Sequence, residues 1–364
     1  MSTIPLTIRA IRTTPVMVPM TYVLGTSQQA LREAPLLLVD LETAEGVTGH
    51  AYQFCYVPAA ASAIVAILEE VLRNVKGERA DPVALWEKLA HRFKLMGVQG
   101  IVRMAMATFD TDCWDAVARS AAMPLASMLG GAPRPVPAYN SCGLGLMAPA
   151  AVADEAEKLL AGGFRAVKLR LGYPTLEADL AAVHAVRSRV PADIALMVDY
   201  NQALTVQDAI RRGRALDGEG VYWIEEPIRH DDFAGCAEIA RALATPVQIG
   251  ENFSLVHDME RALAAQSCDY MMPDLERIGG VTGWRRAAGL AASRGVKLSS
   301  HLYPEVSAHL LTVTPTAHWL EYVDWANAIL EEPLRIVDGS AVVSRRPGNG
   351  LAWNEDAVRK YRMS

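Results

Sequence analysis

The chain lacks most of the features that mark specialised protein classes. It has no CxxC pair, and its five cysteines (Cys55, Cys113, Cys142, Cys236, Cys268) are an odd number. Neither a disulfide framework nor a thiolate metal site is expected, and the cysteines read as reduced core thiols of a cytoplasmic protein. No cluster of Lys or Arg interrupts a formal net charge of −6 at pH 7, which argues against nucleic-acid binding. No apolar run reaches bilayer length, since the most apolar stretch, Val57 to Leu68, runs straight into Glu69-Glu70. Met1 to Thr14 carries Arg9 and Arg12 without an apolar core behind them, so neither a signal peptide nor a membrane partner is expected. Low-complexity tracts are also missing. A composition of 51% hydrophobic and 21% charged residues is that of an ordinary globular protein.

At 364 residues the chain has room for one barrel of roughly 250 residues and a smaller second domain. Residues 1–132 read as an α+β module. Ile8 to Pro19 and Pro35 to Thr43 have strand character, and the polar stretch Tyr22 to Glu33 between them reads as a loop. Helices are expected over Ala59–Val75, Asp81–Leu95 and Val102–Ser120, the second starting at the Asp81-Pro82 pair. From residue 133 to 324 short apolar runs alternate with helical patterns such as Ala151–Ala161, Leu176–Arg187 and Thr282–Arg294. Eight strand candidates follow from Val136 to Glu321, which points to a parallel barrel. Residues 325–364 lose the pattern and are expected to pack back on the first module.

Three acids stand out within that rhythm. Asp199, Glu225 and Glu251 recur at intervals of 26 residues, each closing a short apolar run: Ala195–Asp199, Tyr222–Glu225 and Pro246–Glu251. Any one of them alone reads as an N-cap or a solvated loop acid. Three at the same end of successive strands converge at the barrel mouth where active sites sit. Hard oxygen donors there suit Mg²⁺, or Mn²⁺, better than zinc. Glu226 follows Glu225, and adjacent strand residues face opposite ways, so it is not expected among the ligands. Other strand-end candidates are Lys168, Arg170, Asn201, Asp274, His301 and Glu321. His309 and His318 fall off the expected mouth and read as structural.

The segments Phe164–Pro174, Val198–Gln202, Trp223–Pro227, Ile278–Trp284, Ser299–Leu302 and Pro315–Glu321 together resemble the enolase superfamily. Within it they resemble the mandelate racemase subgroup (mandelate racemase/muconate lactonizing enzyme family) over nearly the whole chain. The resemblance implies a modified TIM barrel, (β/α)7β, with an α+β N-terminal capping domain, and a symmetric homo-oligomer, up to an octamer. It also implies abstraction of the α-proton of an α-hydroxycarboxylate, through an enediolate stabilised by metal on Asp199, Glu225 and Glu251. His301 backed by Asp274 is then the base, since a carboxylate behind an imidazole raises its basicity and fixes its tautomer. Glu321 is expected to keep its proton and donate to the enediolate, or to pair with Lys168, the two roles being compatible, and Lys168 matches a contact to the substrate carboxylate. Ser141 and Asn201 match polar substrate contacts. The capping loops near residues 21–33 and 52–57 are expected to close over the mouth. Leu24, Leu31, Tyr56, Leu302 and Tyr303 then form an apolar wall, with Gln28 and Arg32 adding polarity, Arg32 either solvated or reaching a distal carboxylate.

One departure bears on the reaction. Mandelate racemase has a Lys-x-Lys pair on the second barrel strand, whereas this chain has Lys168-Leu169-Arg170. Arginine holds its proton where a crowded lysine releases it. The apolar wall favours a mandelate-racemase-like α-hydroxy acid. Arg170 favours the alternative, an acid-sugar dehydratase in which His301 is both base and acid. An inactive metal-binding barrel is the minor alternative.

Overall fold

A computed structural model describes residues 5–27 and 29–363; Gln28 lies outside them. The first strands form an antiparallel sheet in the order β1–β2–β3: β1 Ile8–Gly25, β2 Ala30–Thr43 and β3 Thr48–Phe54. Contrary to the expected loop over Tyr22–Glu33, the β1–β2 hairpin runs on to its tip, with Leu24 opposite Leu31 and Gly25 opposite Ala30. The register shifts between Pro19 and Leu24, so the extension is set off from the main ladder by an irregularity. Three helices cover the sheet: α1 Pro58–Val75, α2 Pro82–Arg92 and α3 Gly100–Ser120. The Asp81 side chain accepts from Ala84 N (3.3 Å) to start α2, with Pro82 at its first position. Leu37, Val39 and Leu41 of β2 pack with Ile64, Leu68, Trp86, Leu89 and Phe109 in one apolar cluster.

The eight barrel strands are β4 Val136–Asn140, β5 Ala166–Arg170, β6 Ala195–Asp199, β7 Val221–Glu225, β8 Val247–Ile249, β9 Tyr270–Met271, β10 Lys297–Leu298 and β11 Leu320–Tyr322. They pair in parallel from β4 to β10, and β11 pairs in parallel with β4. Backbone bonds His318 N to Leu298 O (2.9 Å) and Ser300 N to Trp319 O (3.0 Å) close β10 onto β11. A helix follows each strand except β11, which is the (β/α)7β arrangement.

Period-two alternation decides what enters the barrel. On β5, Val167 and Leu169 pack outward with Val183 and Val186. Ala166, Lys168 and Arg170 take the opposite face. Inside, Tyr139, Ala166, Met197 and Trp223 form the floor, with Tyr139 and Trp223 edge to face at 5.4 Å and 85°. Such a pair adds roughly 0.5–1.5 kcal/mol beyond its buried area. The polar residues of the mouth therefore stand on a packed plug.

The capping helices are joined to the barrel by polar contacts. Asp110 of α3 accepts from Thr282 N (2.8 Å) and Thr282 Oγ1 (2.5 Å), and Trp114 Nε1 donates to Thr282 Oγ1 (2.9 Å). The C-terminal segment returns to the first sheet, where Met363 N bonds Pro15 O (2.9 Å) and Trp353 Nε1 donates to Asp40 Oδ1 (2.7 Å). All five cysteines are free. Among the described residues no helix is long and apolar enough to cross a membrane.

Candidate active site

Asp199 and Glu225 are the last residues of β6 and β7 and pair side by side in the parallel register. Glu251 is placed differently from the expected strand end, because β8 stops at Ile249 and Gly250 turns the chain at φ 134°. Even so, the three acids bring one carboxylate oxygen each to within 4.8 Å of one another. Glu226 is not among them; it accepts from Asn252 Nδ2 (3.0 Å).

Lys168 reaches across the barrel from β5 and sits among three carboxylates. Its Nζ lies 2.5 Å from Glu225 Oε1, 2.8 Å from Glu321 Oε1 and 3.2 Å from Asp199 Oδ2, and the side chain is only 2% exposed. One ammonium cannot balance this much negative charge. Burial pushes Glu225 up to about 8, and Asp199, Glu321 and Glu251 add to that against the pull of Lys168. Glu321 fares better. Burial would raise it, but Lys168, His301 and the donated bond from Leu302 N (2.9 Å) hold it down at about 2. Of the two expected roles of Glu321, the structure contains the ion pair with Lys168. The unbalanced, all-oxygen set of Asp199, Glu225 and Glu251 fits a hard divalent cation.

His301 lies beyond β10, and Asp274 beyond β9, joined by a parallel bridge. Asp274 divides its oxygens. Oδ1 caps the helix Leu275–Ile278 by accepting from Glu276 N (2.8 Å) and Arg277 N (3.0 Å), which leaves Oδ2 at 2.7 Å from His301 Nδ1. His301 Nε2 then faces Glu251 Oε2 at 3.2 Å and Glu321 Oε2 at 3.9 Å. Burial opposes a charged imidazole, but Glu251, Glu321 and Asp274 outweigh it and push the ring up to about 9.

Arg170 lies on the same mouth, buried. Its Nη1 donates to Gly143 O (2.5 Å) and its Nη2 to Ser141 O (3.2 Å). Asn201 is folded back on Asp199 at a left-handed φ of 44°, donating from N (2.8 Å) and from Nδ2 (3.0 Å). A cavity of about 210 Å³ opens over these groups, and Leu24, Tyr56, Ser141, Lys168, Arg170, Asp199, Asn201, Glu251, His301, Leu302 and Glu321 all line it. Leu31 does not, although it faces Leu24 across the hairpin. Tyr303 is turned into the capping sheet, where its hydroxyl accepts from Phe54 N (3.2 Å) and Gln53 Nε2 (3.0 Å). Arg32 is exposed. His309 and His318 lie off the cavity, the first buried and the second half-buried, and burial pushes both down to about 4. A larger groove, about 1000 Å³, runs beside Glu305, Arg335 and Arg345 and contains none of the expected site residues.

Residues 7–130 match the mandelate racemase/muconate lactonizing enzyme N-terminal domain, and residues 151–357 match the enolase C-terminal domain-like family. The chain belongs to the mandelate racemase/muconate lactonizing enzyme family. It is 31% identical to the L-talarate/galactarate dehydratase of Salmonella typhimurium, covering 93% of this chain and 85% of that one. A structure of an enolase from alpha proteobacterium bal199 with bound magnesium superposes with a TM-score of 0.96 at 43% identity, covering 98% and 100% of the two chains. An enolase from Bradyrhizobium, complexed with magnesium and mandelic acid, superposes at 0.94 with 39% identity over the full length of both.

In this family member the cavity also contains Thr26, Gln29, Phe54, Gln202, Asn252, Arg277, Val323 and Trp325, which the strand-end pattern did not single out. Apart from Phe54 at the end of β3 and Arg277 in the helix Leu275–Ile278, they come from the hairpin tip and from loops, where no periodicity marks direction. Gly250 is a further hidden element. A methyl group there would lie 2.7 Å from the Phe253 ring and 3.0 Å from Met272 N, at a φ that only glycine adopts with ease. Gly250→Ala is expected to cost at least about 1–3 kcal/mol of stability and to displace Glu251. Chemical denaturation checks the first effect, and a weakened Mg²⁺ dependence of the melting temperature checks the second.

Proposed function

We propose that this chain is a Mg²⁺-dependent dehydratase acting on a small polyhydroxy carboxylate, with His301 as its general base and then its general acid. The observation that carries this reading is the one-sidedness of the mouth. His301 stands on one flank with Asp274 behind it at 2.7 Å. The other flank presents Arg170, whose guanidinium donates to two backbone carbonyls, and arginine is a poor proton acceptor beside lysine. A two-base racemase needs a proton acceptor on each flank, and this site has one.

The substrate carboxylate is held next to Lys168, which brings the α-hydrogen under His301 Nε2. Mg²⁺, with Mn²⁺ as the alternative, would be held by Asp199, Glu225 and Glu251 and supplies Lewis-acid charge to the carboxylate oxygens. His301 takes the α-proton. Asp274 stabilises the resulting imidazolium, which returns that proton to the β-hydroxyl as the C–O bond breaks. Water leaves, and the enol tautomerises to a 2-keto-3-deoxy acid. Ser141, Asn201, Gln202, Asn252 and Thr26 offer the polar surface that hydroxyl groups need. The dehydratase relative fits this reading.

A second reading is favoured by the apolar part of the lining, Leu24, Phe54, Leu302, Val323 and Trp325. It takes an aryl α-hydroxy acid, as in the Bradyrhizobium complex with mandelic acid, and ends in exchange or inversion of the α-proton. Proton NMR in D₂O with Mg²⁺ separates the two. Acid sugars are expected to yield a keto acid deuterated at C3, and (R)-mandelate at most slow exchange with retention. Inversion of mandelate, with no elimination from any acid sugar, would replace the first reading by the second.

A further inference from the structure

Arg277 sits in the four-residue helix Leu275–Ile278, whose backbone is fixed from two sides. Asp274 caps it, and Thr108 Oγ1 of α3 donates to Glu276 Oε2 (2.7 Å). With its backbone held, the guanidinium reaches across the mouth. Nη1 donates to Glu251 O (3.0 Å) and Asn252 Oδ1 (2.6 Å), while Asn252 Nδ2 donates to Glu251 Oε1 (3.2 Å). Nη2 donates to the Tyr56 hydroxyl (2.5 Å), and the guanidinium carbon lies 5.2 Å from the centroid of that ring. Tyr56 follows β3 in the capping domain and holds a left-handed φ of 60°, a conformation that a bulky residue keeps only when its contacts enforce it.

We propose that Arg277 is a positioning residue that locks the capping loop at Tyr56 to the loop bearing Glu251, so that seating the cap and placing the Glu251 carboxylate are one event. One arm holds Glu251 at its carbonyl and, through Asn252, at its carboxylate. The other holds the cap by a hydrogen bond and a cation–π contact. A lysine cannot replace the planar fork that serves both loops at once. The cation arm of the proposal rests on Glu251 being a cation ligand; the clasp between the two loops does not.

The test uses the Arg277→Lys protein, with Mg²⁺ affinity by calorimetry and amide hydrogen exchange over residues 52–57 of the metal-free form. Expected are a Kd for Mg²⁺ raised about 10–100-fold, as for lost support behind a metal ligand, and faster exchange at the capping loop. KM should rise more than kcat falls. Tyr56→Phe should speed loop exchange by itself, and adding it to Arg277→Lys should speed it no further, since both remove the same hydrogen bond. Unchanged loop exchange in Arg277→Lys, or additive effects in the pair, would overturn the clasp. If the parent protein binds no Mg²⁺, the cation reading of Glu251 fails with the proposed function, and loop exchange still decides the clasp. Should Arg277→Lys not fold, Asn252→Ala takes its place, with faster exchange at residues 52–57 expected and unchanged exchange overturning the lock.

Discussion

The His301→Asn protein is expected to turn over substrate at least about 10³–10⁴-fold more slowly than the parent, with its fold and Mg²⁺ affinity retained. That magnitude is the upper range for a positioned general base, and it applies here because one group serves both proton transfers. Asparagine can still bond Asp274 Oδ2 but cannot accept a proton. Asp274→Asn is expected to fall short of that loss, since it leaves the imidazole in place but removes the carboxylate that fixes its tautomer. The same geometry gives a pH dependence. In the cation-free protein the imidazole is pushed up to about 9, so it is charged and unable to act as a base at neutral pH. Much of that push comes from Glu251 at 3.2 Å. Sharing the Glu251 charge with Mg²⁺ should lower the ring's pKa toward neutrality, and the rate should rise with pH through this lowered value. An NMR titration of His301 with and without Mg²⁺ checks the sign. Full activity in His301→Asn would remove the proposed chemistry altogether.

The barrel and the ends of its strands were legible because buried parallel strands write their boundaries into sequence. Each is a short apolar run, and the polar residue that closes it faces the mouth. Asp199, Glu225 and Arg170 follow that rule, and Lys168 shares the face of Arg170 two residues earlier. Asp274, Glu251 and His301 do not lie on strands at all, yet the register carries them to the same place because β8, β9 and β10 stop two or three residues early. The hairpin tip misled for a physical reason. Leu24 and Leu31 pair across a narrow polar ribbon that has no continuous apolar face, so periodicity reads it as loop. The residues that finish the cavity, such as Trp325 and Arg277, come from turns and a one-turn helix. Only long-range packing aims them. Asp274-Leu-Glu-Arg277 carried a local signal, an N-cap before a short helix. It fixes where Arg277 starts and says nothing of Tyr56, 221 residues away.

Replacing Lys168 by Met is expected to destabilise the cation-free protein by about 3–5 kcal/mol, the usual cost of removing one partner from a buried ion cluster. Methionine fits the volume and keeps the packing on Tyr139, so the loss isolates charge. What it leaves behind is Asp199, Glu225 and Glu321, all about 1% exposed or less, facing one another without an ammonium. The pH dependence separates this from a packing defect. With Lys168 in place, Glu321 ionises at about 2, below its unfolded value, so its contribution is present above about pH 4 and is lost only as pH falls toward 2. Glu225 is pushed up to about 8 even beside Lys168, so the parent also gains stability as pH falls from 8; without Lys168 burial pushes Glu321 upward as well. Stability should then rise as pH is lowered from 8 toward 5, and the deficit against the parent should shrink. A packing defect would keep the deficit constant. Mg²⁺ held by Asp199, Glu225 and Glu251 would supply positive charge to two of these acids, Asp199 and Glu225. It should therefore raise the melting temperature of Lys168→Met more than that of the parent, by a term that reaches about 2.7 kcal/mol at 100 times its Kd. Equal Mg²⁺ shifts in the two proteins would mean that the cation and the lysine do not share these carboxylates.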